Sequence, residues 1–479
     1  MSEGPRIHAD LRRLRAPRPA AWLLAGSLAV TLAACAPATT PPPPPSPPGV
    51  TCATAGQPAA GFGSGPVGAA GSVGVVNAGT LLDSIGVNVH MSYPDTSYAR
   101  PPVIIQRLKQ LGVRVVRDNL PAQPTPQLAA VYRAFAAAGI AVDAVIGSAA
   151  RVDELAPAQP VLDWIRTEGL ACAPIVALEG PNEWDTRGGG GWVQEDLSFQ
   201  TELFQGARGL DPRITVVAPS TARSSRRFLL NGLSTIADVS SNHSYPAGAL
   251  PTDGLDQQLA DARAALPGKP VWATETGYRT AQGLGGNLGQ PPVSEQAQAM
   301  YLPRLVLDYF RAGVARTFIY ELADEHQDGT GAAPERHFGL LRSTLQPKPA
   351  FLAMSRVLAA LGPTAAAGSA TSTPPAVQLI GPDGLQHLLV DRGGGQYALC
   401  LWRNVLVPGS AGLLPGQPTP PAQVDVDLGP GVDPSSVRQL TGWAAQQPTE
   451  VPLGGTRVQV GVADQLVVLA FHATSATAD

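Results

Sequence analysis

The stretch IVALEGPNEWDTRGGGGWVQEDLSFQTELFQGARGLDPRITVVA, residues 175–218, changes its period twice. Residues 175–178 are a short apolar run rich in β-branched side chains, which reads as a buried strand. Residues 197–208 carry apolar side chains at helical spacing and stop at Gly209, the residue a helix C-terminus favours. Residues 214–218 are again a short β-branched run. Strand, helix, strand over about 40 residues is one βα unit and the start of the next.

The same alternation extends outward in both directions. Strand-like runs fall at 85–90, 113–117, 140–146, 175–178, 214–218, 239–242, 271–275 and 317–320. Helix-like stretches follow them at 102–111, 128–138, 161–167, 197–208, 227–233, 255–266, 295–312 and 350–361. In the first of these, Val103, Ile104, Leu108 and Leu111 share a face. Eight units of about 35 residues across 84–362 predict a (β/α)8 TIM barrel, with domain limits at 80–363. A doubly wound open sheet would have fewer units and a Gly-rich first turn, and the first strand is not followed by one.

After Gly362-Pro363 the pattern becomes short apolar runs at 377–380, 387–390, 398–402, 424–428, 458–460 and 466–471, separated by Gly and Pro clusters. Residues 364–479 therefore read as an antiparallel β-sandwich with no catalytic constellation of its own.

The N-terminus reads as targeting sequence. Five Arg (6, 12, 13, 15, 18) against Glu3 and Asp10 give residues 1–34 a net +3, followed by an apolar run at 20–34 too short for a confident membrane span. Leu32-Ala33-Ala34-Cys35 resembles the bacterial lipobox, in which the Cys is acylated; this implies a lipoprotein signal peptide at 1–34 and an extracytoplasmic protein held to the bacterial membrane only through Cys35. Residues 35–79 form a tether, stiff where Pro41–45, Ser46 and Pro47-Pro48 run together at about 3 Å per residue. The glycines around Gly61-Phe62-Gly63-Ser64-Gly65 are linker and not a phosphate loop, since no Lys follows.

Overall charge is −4, and taking away the +3 leader leaves about −7, which gives nucleic acid no electrostatic purchase. Cys172 and Cys400 read as buried free thiols; a bridge to Cys52 is the alternative in an oxidising compartment. No Cys or His spacing suits a metal, and no cofactor motif is present, so the expectation is neither metal nor cofactor.

In a TIM barrel the chemistry sits at the C-terminal strand ends. The fourth strand ends Glu179-Gly180-Pro181-Asn182-Glu183-Trp184; the seventh, Ala273-Thr274-Glu275-Thr276. The sixth runs into Asn242-His243-Ser244-Tyr245, the second into Arg117-Asp118-Asn119, and the first into Asn88-Val89-His90. Two carboxylates at the mouth, on strands three apart, face one another across a bound sugar. Glycoside hydrolysis needs such a pair, one acid and one nucleophile or base.

The pattern resembles the retaining glycoside hydrolases of clan A, most of all families 39 and 5. The resemblance implies Glu183 as acid/base, Glu275 as nucleophile, Asn182 on the sugar 2-hydroxyl, Arg117 orienting the nucleophile, and His243 and Tyr245 beside it. It covers about residues 84–362, including Phe338-Gly339-Leu340-Leu341 before the last helix. Arg117 keeps Glu275 ionised, whereas Glu183 must start protonated, with a pKa raised by burial and by Glu275. Glu179, deeper on the same strand, reads as a supporting carboxylate.

Two departures stand out. Where the clan has a Trp after the eighth strand, this sequence has Ile319-Tyr320-Glu321-Leu322, leaving Tyr320 to stack on the sugar or Glu321 to bind a hydroxyl. The loop 187–192 holds four consecutive glycines. Trp184 and Trp192 are candidate sugar platforms, and His90 is a candidate pocket hydrogen bonder. The expected partner is an oligo- or polysaccharide; the competing reading is an inactive sugar-binding surface lipoprotein on the same barrel.

Overall fold

The computed structural model describes residues 73–147, 149–151, 154–281, 290–331, 333–364, 374–410 and 418–474. Cys35, Cys52, the apolar leader and the Pro-rich tether lie outside them.

Eight parallel strands form the barrel: β1 (Ile85–Val89), β2 (Val115–Asn119), β3 (Ala141–Val145), β4 (Ile175–Glu179), β5 (Thr215–Val217), β6 (Ser240–His243), β7 (Val271–Thr276) and β8 (Val314–Ile319). They hydrogen-bond in the order β5-β4-β3-β2-β1-β8-β7-β6. The ring closes between β5 and β6 through one parallel bridge, Val217↔Val239. Around it lie α1 (Pro101–Leu111), α2 (Pro126–Ala137), α3 (Gln159–Thr167), α4 (Trp192–Leu210), α5 (Leu255–Ala265), α6 (Glu295–Arg311) and α7 (Pro349–Leu361). Thr125 caps α2 and Ser294 caps α6 with their side-chain oxygens, while Gly112 takes the left-handed conformation that ends α1.

One expected helix takes another form. Residues 227–233 are not α-helical; the β5–β6 connection holds two short 3-10 helices, Ser224–Leu229 and Leu233–Thr235. Phe228 and Leu229 are exposed there, so the stretch has no continuous apolar stripe to bury, and Gly232 breaks it at φ +92°.

The C-terminal region packs two sheets. Strands β9 (Gln378–Ile380), β12 (Ala422–Asp427) and β15 (Arg457–Val462) form one, in the order β9-β12-β15. The other combines β10 (Leu385–Gly393), β11 (Gln396–Arg403), β16 (Val467–His472), β13 (Arg438–Thr441) and β14 (Thr449–Pro452). Of the last two, β13 is half-exposed and β14 exposed throughout, and their lack of apolar alternation hid them from the sequence pattern. The short strand Val75–Asn77, within the stretch read as tether, pairs in parallel with β10, Val75 opposite Leu389.

The space between the two sandwich sheets is an apolar cluster of its own, but one face of the sandwich packs into the barrel's core. Cys400, Trp402, Trp443 and Val468 are buried in the same cluster as Leu302, Leu305 and Met354. Trp402 donates its indole N–H to Asp308 at 2.9 Å, and fully buried Arg304 donates to the Asp464 and Val405 carbonyls at 2.7 and 3.0 Å. Cys400 is free and buried, as expected. Cys172 is disulfide-bonded, which corrects its reading as a free thiol and favours the bridged alternative.

Candidate active site

At the end of β4 the chain turns sharply. A Cβ on Gly180 would run into the end of the Gln200 side chain and lie 3.1 Å from the Pro219 backbone, so the small glycine suits the close passage of the strand end beside β5. Three residues on, Glu183 sits in the left-handed region, φ 50° and ψ 39°, which costs a non-glycine residue roughly 1 kcal/mol or more. Neighbouring hydrogen bonds hold it there. The Glu183 N–H donates to both the carbonyl and the hydroxyl of Ser220, each at 3.2 Å, and Thr186 donates its hydroxyl to the Glu183 carbonyl at 2.8 Å.

Arg117, midway along β2 and 3 % exposed, organises the floor. Its Nε and Nη2 grip Glu179 at 2.6 and 3.1 Å; Nη2 also donates to Asn182 Oδ1 at 2.7 Å, and Nη1 donates to Asn88 Oδ1 at 3.1 Å and Glu275 Oε1 at 2.7 Å. All five N–H groups of the guanidinium are thereby used. Burial works against its charge, but Glu179 and Glu275 outweigh burial and raise its pKa. Glu179 is thus the supporting carboxylate that its depth suggested.

Glu275, buried at the end of β7, also accepts from the Tyr245 hydroxyl at 2.8 Å on Oε2. Burial pushes its pKa up; the charges of His243 and Arg117 and the hydrogen bonds from Tyr245 and Arg117 overcome this and hold it below the usual carboxylate value. His243 Nδ1 lies 2.7 Å from Glu183 Oε1 and 3.5 Å from Glu275 Oε2, so the imidazole sits between the two acids. One oxygen of Glu183, one of Glu275 and a nitrogen of His243 all lie within 4.8 Å of one another. Asn182 gives its oxygen to Arg117 and, at 3.3 Å, to the Ser220 hydroxyl, which leaves its NH2 facing outward as a donor.

The opposite wall rises from β1 and β8. His90 stacks on Tyr93 with ring centroids 4.9 Å apart and meets the edges of Tyr98 and Tyr320. Tyr320 also packs edge-on against Tyr245 and Phe338. Glu321, fully buried, accepts from the Tyr98 hydroxyl at 3.0 Å, and its Oε2 lies 3.4 Å from His90 Nε2. Glu325 Oε1 is 3.8 Å from the same nitrogen. Among the described residues, two side-chain groups have donor atoms spaced to hold a metal ion, Glu183–His243–Glu275 and His90–Glu321–Glu325.

Arg117, Asn182, Glu183, His243, Tyr245, Glu275, His90, Tyr320 and Glu321 therefore come together as expected. Trp184 does not. It is 1 % exposed, donates to Glu195 at 2.5 Å and packs with Trp192, Leu230 and Leu233, so it anchors the loop and offers no face to a sugar. Trp192 is buried in the same cluster. Ser220, Asn88, Tyr93, Tyr98 and Glu325 were missed. Asn88 and Ser220 follow the rule of strand ends, lying at or just beyond the ends of β1 and β5; the other three sit in loops without a pattern.

No family profile matches the sequence, and no curated protein matches it. Among solved structures, a family 39 glycoside hydrolase from the gut symbiont Bacteroides cellulosilyticus superposes with a TM-score of 0.58 at 16 % identity, over 83 % of this chain and 82 % of the other. A family 39 enzyme from Xanthomonas axonopodis pv. citri gives 0.57 at 15 % identity, covering 85 % and 96 %. A monomeric β-xylosidase from Caulobacter crescentus gives 0.57 at 13 %, covering 85 % and 98 %. The fold is shared with family 39 glycoside hydrolases. The likeness spans barrel and sandwich together, because each covers more of the chain than the barrel alone.

Proposed function

We propose that this chain is a glycoside hydrolase that cleaves an O-glycosidic bond with retention, by double displacement. The observation that carries the reading is the pairing of Glu183 and Glu275 at the ends of β4 and β7, with carboxylate oxygens within 4.8 Å. Retaining enzymes keep their two carboxyl groups ~5–5.5 Å apart, whereas inverting enzymes need roughly 6.5–9.5 Å to admit a water between them.

Glu275, kept ionised by Arg117 and Tyr245, attacks the anomeric carbon. Glu183 protonates the departing oxygen, then takes a proton from the water that releases the sugar. His243, 2.7 Å from Glu183, orients that carboxyl. The outward NH2 of Asn182 donates to the sugar 2-hydroxyl. The solved relatives named above support a saccharide substrate.

The test is the Glu183→Ala variant. An aryl glycoside whose leaving group needs no proton should still load Glu275, and the adduct should accumulate because nothing activates water. Azide should restore turnover and give a glycosyl azide of retained configuration. Acid/base help is worth ~10²–10⁴ in rate, so poor leaving groups should suffer a loss of that size. Inverted product from the wild type, or an adduct on Glu183 or Glu179, would overturn the assignment.

We further propose that the protein is exported and anchored through lipidated Cys35. Leu32-Ala33-Ala34-Cys35 and the Pro-rich tether motivate this, and the disulfide at Cys172 supports an oxidising compartment.

A further inference from the structure

A non-glycine residue in the left-handed region persists only where its surroundings restrain it, and Glu183 is restrained from both sides. On its N-terminal side, the Glu183 N–H donates to the Ser220 carbonyl and hydroxyl, and the Ser220 N–H donates back to the Pro181 carbonyl at 3.2 Å. On its C-terminal side the restraint is Asp185, whose side chain is fully buried. Asp185 Oδ1 accepts the Ala222 N–H at 2.9 Å. Arg226 Nη1 donates to the Asp185 carbonyl at 2.6 Å and, at 3.4 Å, to Oδ2. One guanidinium therefore holds both the main chain and the side chain of the residue two positions beyond Glu183.

The charges around Asp185 favour this clamp. Hydrogen bonds between ionised partners are roughly twice as strong as neutral ones. Buried Arg227 adds a second positive charge within range of Asp185. Behind them, burial and then Asp185 and Glu195 push the Asp196 carboxyl of α4 up to about 8, so near neutrality it keeps its proton and does not compete for Arg226. Glu195 accepts the Trp184 indole N–H. The short 3-10 helix Ser224–Leu229, standing where a barrel helix was expected, is what brings Arg226 to the turn after β4. The Arg226 side chain is 37 % exposed, so replacing it leaves the apolar core alone.

We propose that Arg226 is a positioning residue for the acid/base: acting through Asp185, it aims the Glu183 carboxyl, and it serves proton transfer without serving attack by Glu275. This rests on the glycosidase reading above. Glu275 is fixed by its own bonds from Arg117 and Tyr245, which come from β2 and the end of β6. Moving a reacting group by ~1 Å costs up to about 100-fold in rate, within the ~10²–10⁴ that acid/base help supplies. Loss of the clamp should therefore remove roughly 10–100-fold wherever the leaving group needs a proton.

The experiment is the leaving-group dependence of Arg226→Met, which keeps an apolar stem and removes the donated bonds. The substrates are dinitrophenyl, nitrophenyl and phenyl glycosides of the sugar that the wild type hydrolyses fastest. On the phenyl glycoside kcat/KM should fall about 10–100-fold, and on the dinitrophenyl glycoside, whose leaving group needs no proton, it should stay within about twofold. On the latter substrate kcat itself should fall, because Glu183 also activates water, and azide should restore it. Arg226→Lys, which offers a point charge in place of the planar fork, should lie between the two. Asp185→Asn keeps an acceptor for Ala222 and loses the charge; it should show the same leaving-group dependence more weakly. An equal loss on every leaving group, the mark of general destabilisation, overturns the proposal, and so does a folded Arg226→Met with wild-type kinetics. Should Arg226→Met not fold, Arg226→Lys and Asp185→Asn decide by the same criteria. If no glycoside turns over and activated 2-fluoroglycosides leave Glu275 unlabelled, the glycosidase reading itself fails and takes the proposal with it; a labelled Glu275 with no leaving-group dependence in the variants sinks only the proposal.

Discussion

Replacing Tyr245 by Phe removes one hydrogen bond from the nucleophile and little else. The hydroxyl donates to Glu275 Oε2 at 2.8 Å, with Glu275 buried and Tyr245 half-buried, so water replaces it poorly. A hydrogen bond to a charged group is worth about 1.5–3 kcal/mol, and a pKa unit corresponds to about 1.4 kcal/mol. The Glu275 pKa should therefore climb about 1–2 units. The sign is fixed by which form the bond favours. Tyr245 stabilises the carboxylate, its loss favours the protonated acid, and the protonated acid cannot attack. The acid limb of kcat/KM, which reports ionisation in the free enzyme, should move to higher pH by that amount. Arg117 and His243 still oppose protonation, so the variant should keep activity near neutrality and lose it as pH falls, sooner than the wild type does. The assay is a pH profile of kcat/KM on an activated aryl glycoside, run on both proteins. An unmoved acid limb, or one displaced to lower pH, would refute the role given to Tyr245.

Ser220→Ala removes the hydroxyl that holds both Asn182 and the Glu183 N–H; kcat should drop about tenfold on glycosides bearing a 2-hydroxyl and less on their 2-deoxy counterparts, and an equal loss on both would count against positioning of Asn182. Truncation after Gly362 bares the face of the barrel that now packs on Trp402, Trp443 and Val468; it should yield an aggregating or markedly less stable protein by thermal melting, and a soluble barrel of unchanged Tm would contradict the shared core. Cys172→Ser should lower stability by ~2–4 kcal/mol in a denaturant titration, and an unchanged midpoint would show the bridge to be dispensable. Cys35→Ala should move the protein from the membrane to the soluble fraction with specific activity intact; continued membrane retention would exclude anchoring by that residue.

The sequence alone determined the barrel, because eight short β-branched runs alternating with amphipathic stretches have few other ways to bury their apolar faces. It also determined which strand ends carry polar chemistry. Asn182-Glu183 and Glu275 lie just where β4 and β7 run out, and His243 and Tyr245 follow the same rule, while Arg117 reaches the site from within β2. That rule is local: a polar residue closing a buried strand needs a reason, and the mouth of the barrel supplies it. Three things depended on tertiary structure. Trp184 was an aromatic beside the acid in sequence, but the left-handed turn at Glu183 and the bond to Glu195 swing it into a core. The wall of Tyr93, Tyr98, Glu321 and Glu325 comes from loops more than 200 residues apart, and no period brings such positions together. The polar strands β13 and β14 exist only because β16 offers an edge to pair with, a backbone interaction to which side-chain patterning is blind. Periodicity reports which face of an element is buried; which elements meet is decided by the closure of the barrel and by loops whose side chains carry no period of their own.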